Sequence, residues 1–259
     1  SHPMSEKKDR HQDPQARKDP ATKKLIIALI IVASLVAAAL VYKLVFSPDK
    51  AAAVVVELDT GHGGDDPGNT GLINESDFNI GVATQLEKLL KADSHFKVIL
   101  SHPFTEGASV DEKAAKINAD KPDIVLSIHA NADAHNADKS GMQIYADIPS
   151  SASHAQSLKV ADAVRDAFTA DNWKPGVYYY YYKEIKPEVY VIDLKDESDT
   201  ADYSESTLRI MQECEVPVVE IEQIYVTSQG DVDTWANEDG YQKAAQLYYQ
   251  ALKSVYGVK

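Results

Sequence analysis

Cysteine is almost missing from this sequence: Cys214 is the only one in 259 residues. That excludes an internal disulfide and leaves the fold to rest on an apolar core. Basic residues are scarce beyond the N-terminal stretch. The first 47 residues carry eight Lys/Arg and four Asp/Glu, so of the whole-chain net charge of −14 about −18 falls on residues 48–259. A body this acidic lacks the footprint of a nucleic-acid binder, and it cannot cling loosely to an anionic polymer; a substrate of that kind must be held by specific contacts. No internal repeat is visible, and nothing marks off a second binding module.

Charge is also missing from Leu25 to Tyr42, eighteen residues that continue apolar past Lys43 to Phe46. At 1.5 Å per residue such a run is about long enough for the roughly 30 Å hydrocarbon core of a bilayer. We read 25–46 as an uncleaved membrane anchor. A cleavable signal peptide would have a shorter apolar stretch, and Ala51-Ala52-Ala53 offers only a faint cleavage site. Residues 1–24 read as a polar, disordered cytoplasmic tail, with Ser1-His2-Pro3 as a cloning remnant ahead of Met4. Lys23 and Lys24 abut the apolar run and place that tail in the cytoplasm, with the rest of a single-pass protein outside the cell membrane. Residues 47–53 are then a linker and 54–259 one domain, long enough to bury a core.

Within that domain apolar runs alternate with helical spacing. Strands are expected at 52–58, 96–100, 123–128, 141–146, 189–192 and 216–222, and helices at 76–91, 110–119, 153–169, 202–214 and 237–256. Residues 173–193, with Tyr178 to Tyr182 unbroken, read as an irregular hairpin covering the core in preference to a wall of a substrate groove. Strands apolar on both sides and separated by helices predict an α/β fold, a single open mostly parallel sheet with helices on both faces, preceded by one transmembrane helix.

Such sheets bind ligands at the carboxyl ends of their strands. His62 follows the first strand inside Asp59-Thr-Gly-His-Gly-Gly64, His129 ends the third, and Glu222 ends the last. Gly61, Gly63 and Gly64 leave the backbone free and make room beside His62. Glu75, at the mouth of the first helix, is near enough in sequence to fold back on His62. Two imidazoles and one carboxylate form the open three-ligand set of a catalytic zinc, and Glu222 is left as general base.

Those stretches, with Ser127-Ile-His-Ala-Asn-Ala132, Pro217-Val-Val-Glu-Ile-Glu222 and the closing 231–241, resemble the zinc-dependent N-acetylmuramoyl-L-alanine amidases of the amidase-3 type, over about residues 54–256. The resemblance implies zinc on His62, Glu75 and His129, with Glu222 as catalytic base. It implies hydrolysis of the peptidoglycan amide between N-acetylmuramic acid and the L-alanine of the stem peptide. Stem peptide and muramic acid are then the partners, with the membrane through Leu25 to Phe46, no nucleic acid, and a regulatory protein left unnamed. Two further readings use the same residues: a muropeptide-binding or regulatory protein of the same fold, and a zinc peptidase cutting within the stem.

The family usually has a turn glycine where Ile224 stands, so Ile224 is expected in a backbone turn after Glu222; it also has an arginine where Lys113 stands and an apolar residue at Glu220, which shares a strand face with Glu222 if that strand is regular. The Lys113 departure loses a bidentate fork. Asp59 is expected to orient a ligand histidine or cap the turn, Asp65 and Asp66 to stay solvated, and Asn131 to hold the loop after His129. His95, His102, His135 and His154 are expected at the surface, and Cys214 as a small buried hydrophobe. Some relatives insert an inhibitory helix before the catalytic strand; residues 193–199 lack helical apolar spacing, so an open site is expected.

Overall fold

The structure, a computed structural model, describes residues 20–46 and 52–259. The expected tail over 1–19 and most of the linker, 47–51, lie outside them. Residues 20–46 and the body from Ala52 onward form separate compact units. The first is one helix, α1 (Pro20–Phe46), which starts five residues before the uncharged run and is long and apolar enough to cross a bilayer.

The body is an α/β domain with the expected mostly parallel sheet and helices on both faces. Its strands are β1 (Val54–Thr60), β2 (Phe96–Leu100), β3 (Ile124–Asn131), β4 (Met142–Ala146), β5 (Pro175–Lys186), β6 (Val189–Asp196) and β7 (Val218–Tyr225), in the order β2-β1-β3-β7-β4-β5-β6. The pairs β1–β2, β1–β3, β3–β7 and β4–β5 are parallel, whereas β4–β7 and β5–β6 are antiparallel. Helices α2 (Glu75–Ala92), α4 (His154–Ala170) and α7 (Glu238–Tyr256) cover one face, and α3 (Val110–Asp120) and the short α5 (Arg209–Glu213) cover the other. Helix α6 (Gln229–Trp235) follows β7.

The two faces differ in chemistry, and the alternation of each strand decides how. Val56, Leu58, Leu126, Ile128, Val219 and Ile221 point into the larger core with Phe78, Val82, Val164, Phe168 and Tyr248. Burying each such side chain contributes on the order of 1.5–3 kcal/mol. The intervening residues face α3 and α5, where Val125, Tyr145 and Val218 pack on Ile117, Ile210 and Met211. Between them runs a buried polar row that includes Glu57, Asp59, Ser127 and Glu220. The site grows from the carboxyl end of that row.

Four local expectations change. Helix α2 begins on Glu75 itself, with Asn74 as its N-cap. The helix expected at 202–214 shrinks to α5, because Ser206 pairs its N–H and C=O with Tyr182 at 2.9 and 2.8 Å and Tyr203 Oη donates to Asp199 at 2.6 Å. Strand pairing wins those residues from the helix. The expected irregular hairpin runs longer, as β5 and β6 to Asp196, with its register shift between Glu184 and Lys186; Tyr179 and Tyr181 enter the main core, and Tyr180 stacks edge-on against Tyr145 on the opposite face. Strand β7 continues three residues past Glu222, so Ile224 does not occupy a turn. A bulge gives β7 one extra residue opposite His129–Asn131. It turns both Gln223, which accepts from Tyr248 Oη at 2.8 Å, and the fully buried Ile224 onto the main core. Ile224 is not among the described residues with positive φ.

Candidate metal centre

His62 leaves the end of β1 in the left-handed region, φ 64°, which is uncommon for a residue with a Cβ. A bridge between Gly63 and Asp66 closes this turn, with N–H···O distances of 2.9 and 3.0 Å. Asp66 Oδ2 then lies 2.7 Å from His62 Nδ1, and Asp66 Oδ1 accepts from Gly68 N–H at 3.0 Å. Glu75, almost fully buried at the first residue of α2, turns Oε2 toward His62 Nε2 at 3.3 Å and Oε1 toward His129 Nδ1 at 2.9 Å. The N–H groups of Asn69 and Ala130 donate to the same carboxylate at 2.8 and 3.1 Å. His62, Glu75 and His129 each offer a ligating atom within 4.8 Å of the others, and a second group, His129, Glu220 and Glu222, meets the same condition.

The glycines that create this closeness are not the expected set. A Cβ on Gly61 would sit 2.0 Å from His129 Cε1, and one on Gly68, at φ +66°, would sit 2.5 Å from His62 Cδ2 and 2.7 Å from Glu75 Oε2. Gly63 and Gly64 instead let the turn pass the backbone of Glu106 and Gly107. Nothing local in the sequence distinguishes Gly68 from any other loop glycine.

The charge pattern fits a bound cation. An Nδ1–H that donates to Asp66 leaves His62 Nε2 with a lone pair facing the Glu75 oxygen, a contact that is repulsive without a cation or proton between them. Around His129, burial disfavours the imidazolium, but the carboxylates of Glu220, Glu75 and Glu222 outweigh it and push the ring up to about 10. Burial raises Glu75 too; the hydrogen bond and charge of His129, the Asn69 N–H and His62 pull it below the usual carboxylate range. Burial, reinforced by Glu220 and Glu75 and opposed by His129, pushes Glu222 up to about 8, and its Oε2 is buried without a hydrogen-bond partner. Three carboxyl groups thus crowd the two imidazoles, and without a metal they are accommodated only by protons on His129 and Glu222. A dication suits this donor set of nitrogen and oxygen atoms.

Asp59 does something other than orient a histidine or cap the turn. Although burial works against its charge, Lys113 Nζ at 3.1 Å and the hydroxyls of Ser101 and Ser127, both at 2.6 Å, hold it below the usual carboxylate range. Lys113 Nζ also donates to Thr60 C=O at 2.7 Å, so the end of β1 is pinned to β2, β3 and α3. The orienting acceptor is Asp66, expected to be merely solvated. His102, expected at the surface, is buried beside Ser101 Oγ at 2.8 Å, and burial followed by Lys113 lowers its basicity. His154 is half-buried with Nδ1 2.8 Å from Asp147 C=O; His95 and His135 are exposed. None of these joins the cluster. Asn131 Nδ2 donates to Gln143 Oε1 at 2.7 Å and its C=O accepts from Val226 N–H at 2.8 Å, tying the loop after His129 to β4 and β7. Cys214 is half-buried, and burial pushes its thiol up to about 12, which suits packing rather than nucleophilic chemistry.

A cavity of about 380 Å³ opens over the cluster, lined among others by His62, His129, Glu220, Ser109, Lys113 and Arg209. A larger hollow, about 550 Å³ around Asp147, lies at the opposite sheet edge and includes none of these side chains. Residues 193–199 form the end of β6 and a turn, and none of them lines the cavity.

The family model described as Amidase_3, N-acetylmuramoyl-L-alanine amidase, matches residues 56–254. A probable N-acetylmuramoyl-L-alanine amidase AmiB of Haemophilus influenzae is 32% identical over 99 residues, 37% of this chain and 22% of the relative. A putative N-acetylmuramoyl-L-alanine amidase of Buchnera aphidicola is 33% identical over 81 residues, 30% of this chain and 34% of the relative. The chain thus spans between a fifth and about a third of these relatives. The crystal structure of N-acetylmuramoyl-L-alanine amidase from Clostridium difficile 630 superposes with a TM-score of 0.64 at 20% identity, covering 81% of this chain and all of that one.

Proposed function

The chain belongs to the Amidase_3 family of N-acetylmuramoyl-L-alanine amidases, and from that premise we propose that it hydrolyses the peptidoglycan amide joining the lactyl group of N-acetylmuramic acid to L-alanine, with zinc on His62, Glu75 and His129. The observation that carries this reading is the convergence of those three side chains at one sheet edge, with Glu222 on the neighbouring strand, opposite His129 in register. A zinc ion there would supply a Lewis acid for the scissile carbonyl and lower the pKa of water toward about 7. Glu222 accepts the proton of the attacking water at its unpartnered Oε2 and passes it to the amide nitrogen as the C–N bond breaks, giving a lactyl carboxylate and an L-alanine ammonium. Because burial and neighbouring carboxylates push Glu222 up to about 8, it needs positive charge beside it to act as a base at neutral pH. Asp66 holds the tautomer of His62, and Glu75 is fixed by two backbone N–H groups before any ligand arrives. Helix α1 anchors the chain, with its N-terminus in the cytoplasm and the amidase domain facing the wall.

The test is incubation of the full chain with purified peptidoglycan, followed by mass analysis of products. New L-alanine amino termini should appear, vanish on chelation and return with zinc; Glu222→Ala should keep its metal and lose turnover. Cleavage within the stem would make the protein a peptidase, and tight muropeptide binding without turnover would make it a binding protein.

A further inference from the structure

Beyond α1, the described large apolar side chains that stand exposed are Leu72 and five in one place: Ile185, Val189, Tyr190, Val191 and Ile192, at the tip of the β5–β6 hairpin, with Tyr190 57% and Ile192 60% accessible. Grouped apolar exposure on an edge strand marks a contact surface. What covers it follows from where the tip projects and where the chain is tethered.

Asp59, Ser127, Glu220, Tyr145 and Tyr178 lie at one level across β1, β3, β7, β4 and β5. From that level β1 runs back five residues to Val54, whereas β5, which is antiparallel to β1, runs eight residues to Lys186. The tip therefore overshoots the N-terminal edge of the sheet by three residues, about 10 Å along the strand. Four strand-to-strand twists of about 20–25° swing the hairpin sideways, well short of the roughly 180° needed to bring it round to the metal centre's edge. Val54 and the tip thus both lie away from that edge. Only residues 47–53 separate α1 from β1, a reach of at most about 25 Å.

We propose that the hairpin tip is a second membrane contact, its apolar side chains seated in the lipid interface and its metal centre turned toward the wall. This rests on α1 being a membrane anchor. The charge balance selects the mode. Lys183 and Lys186 are offset by Glu184 and Glu188, and the domain as a whole is strongly acidic, so the tip attaches by apolar insertion rather than by attraction to anionic headgroups. Tyr190 stacks edge-on against Tyr182, ring centroids 5.7 Å apart, and presents the amphipathic ring common at membrane interfaces.

The experiment uses the full chain in phosphatidylcholine–phosphatidylglycerol vesicles, with Cys214→Ser and a nitrobenzoxadiazole label on Ile185→Cys, two residues beyond the level of Val54. A control carries the label on Ala134→Cys, in the exposed loop after β3. Acyl-chain nitroxide lipids should quench the tip label at least about twofold and leave the control unquenched, as an interfacial insertion of ~5–10 Å requires. Quenching should be the same in low salt and at about 0.5 M salt, and Tyr190→Asp should weaken it. A floating chain whose tip label is no more quenched than the control overturns the inference while sparing the anchor. A chain that fails to float with vesicles overturns both. Transfer between tip labels without lipid quenching would make the edge an interface between copies and likewise overturn it.

Discussion

Asp66 holds His62 by Nδ1 at 2.7 Å from only four residues away, across a turn in which His62 itself adopts φ 64°. The left-handed residue and the short carboxylate arm belong together: the turn brings the acceptor to one ring nitrogen and leaves the other facing Glu75. Removing the acceptor frees the tautomer without touching any of the three side chains proposed to hold zinc.

Asp66→Ala is therefore expected to weaken zinc binding by about 10–100-fold, while turnover at saturating zinc changes far less. Competition against a chelator of known affinity measures the first, and steady-state cleavage in excess zinc the second. Unchanged zinc affinity would show that the Asp66 contact does not tune the ring.

Gly68→Ala should be more damaging than its size suggests. Its Cβ would meet His62 Cδ2 at 2.5 Å, at a φ of +66° that L residues resist. Loss of stoichiometric zinc is expected, with destabilisation of about 1–3 kcal/mol from the strained backbone. Metal content by elemental analysis and thermal melting of the metal-free protein separate the two effects.

Lys113→Met leaves the buried Asp59 carboxylate without its cation and Thr60 C=O without its donor. Breaking such a pair costs about 3–5 kcal/mol, read as a shifted urea midpoint. Adding Asp59→Asn should recover much of the loss, since the uncompensated charge goes with it. A double variant as unstable as the sum of the singles would assign the cost to packing instead.

Stability should carry a signature of Asp147, which burial pushes from 3.8 up to about 7 despite the N–H of Val218. The folded state then holds this proton over a range in which the unfolded chain has released it. Its contribution is present below about pH 4 and is lost as pH rises through about 7. Asp147→Asn keeps an oxygen acceptor and removes the titration, so the difference in unfolding free energy between variant and parent should grow in the variant's favour from pH 4.5 to 8. A constant difference would show that Asp147 ionises alike in both states.

Much of this protein could be read without coordinates because much of it is local. Uncharged length marks α1, and apolar runs split by helical spacing mark the α/β body. A histidine in a glycine turn, a second at a strand end and a glutamate on the last strand are legible as chemistry-bearing residue types placed where such folds bind ligands. Everything decided by register was hidden. Asp59 and Asp66 look alike in sequence, and only the pairing of β1 with β3 and the approach of α3 send the first into a buried brace while the turn sends the second to His62. Ile224 looked like a misplaced turn residue because a bulge, set by how β7 runs past β3, cannot be seen in one strand alone. Residues 202–208 had a helix-like pattern, and a backbone pair with Tyr182 took them. Local spacing determines which face a residue can present; which partner waits there depends on strands and helices far away in the chain, and that is settled only when they pack.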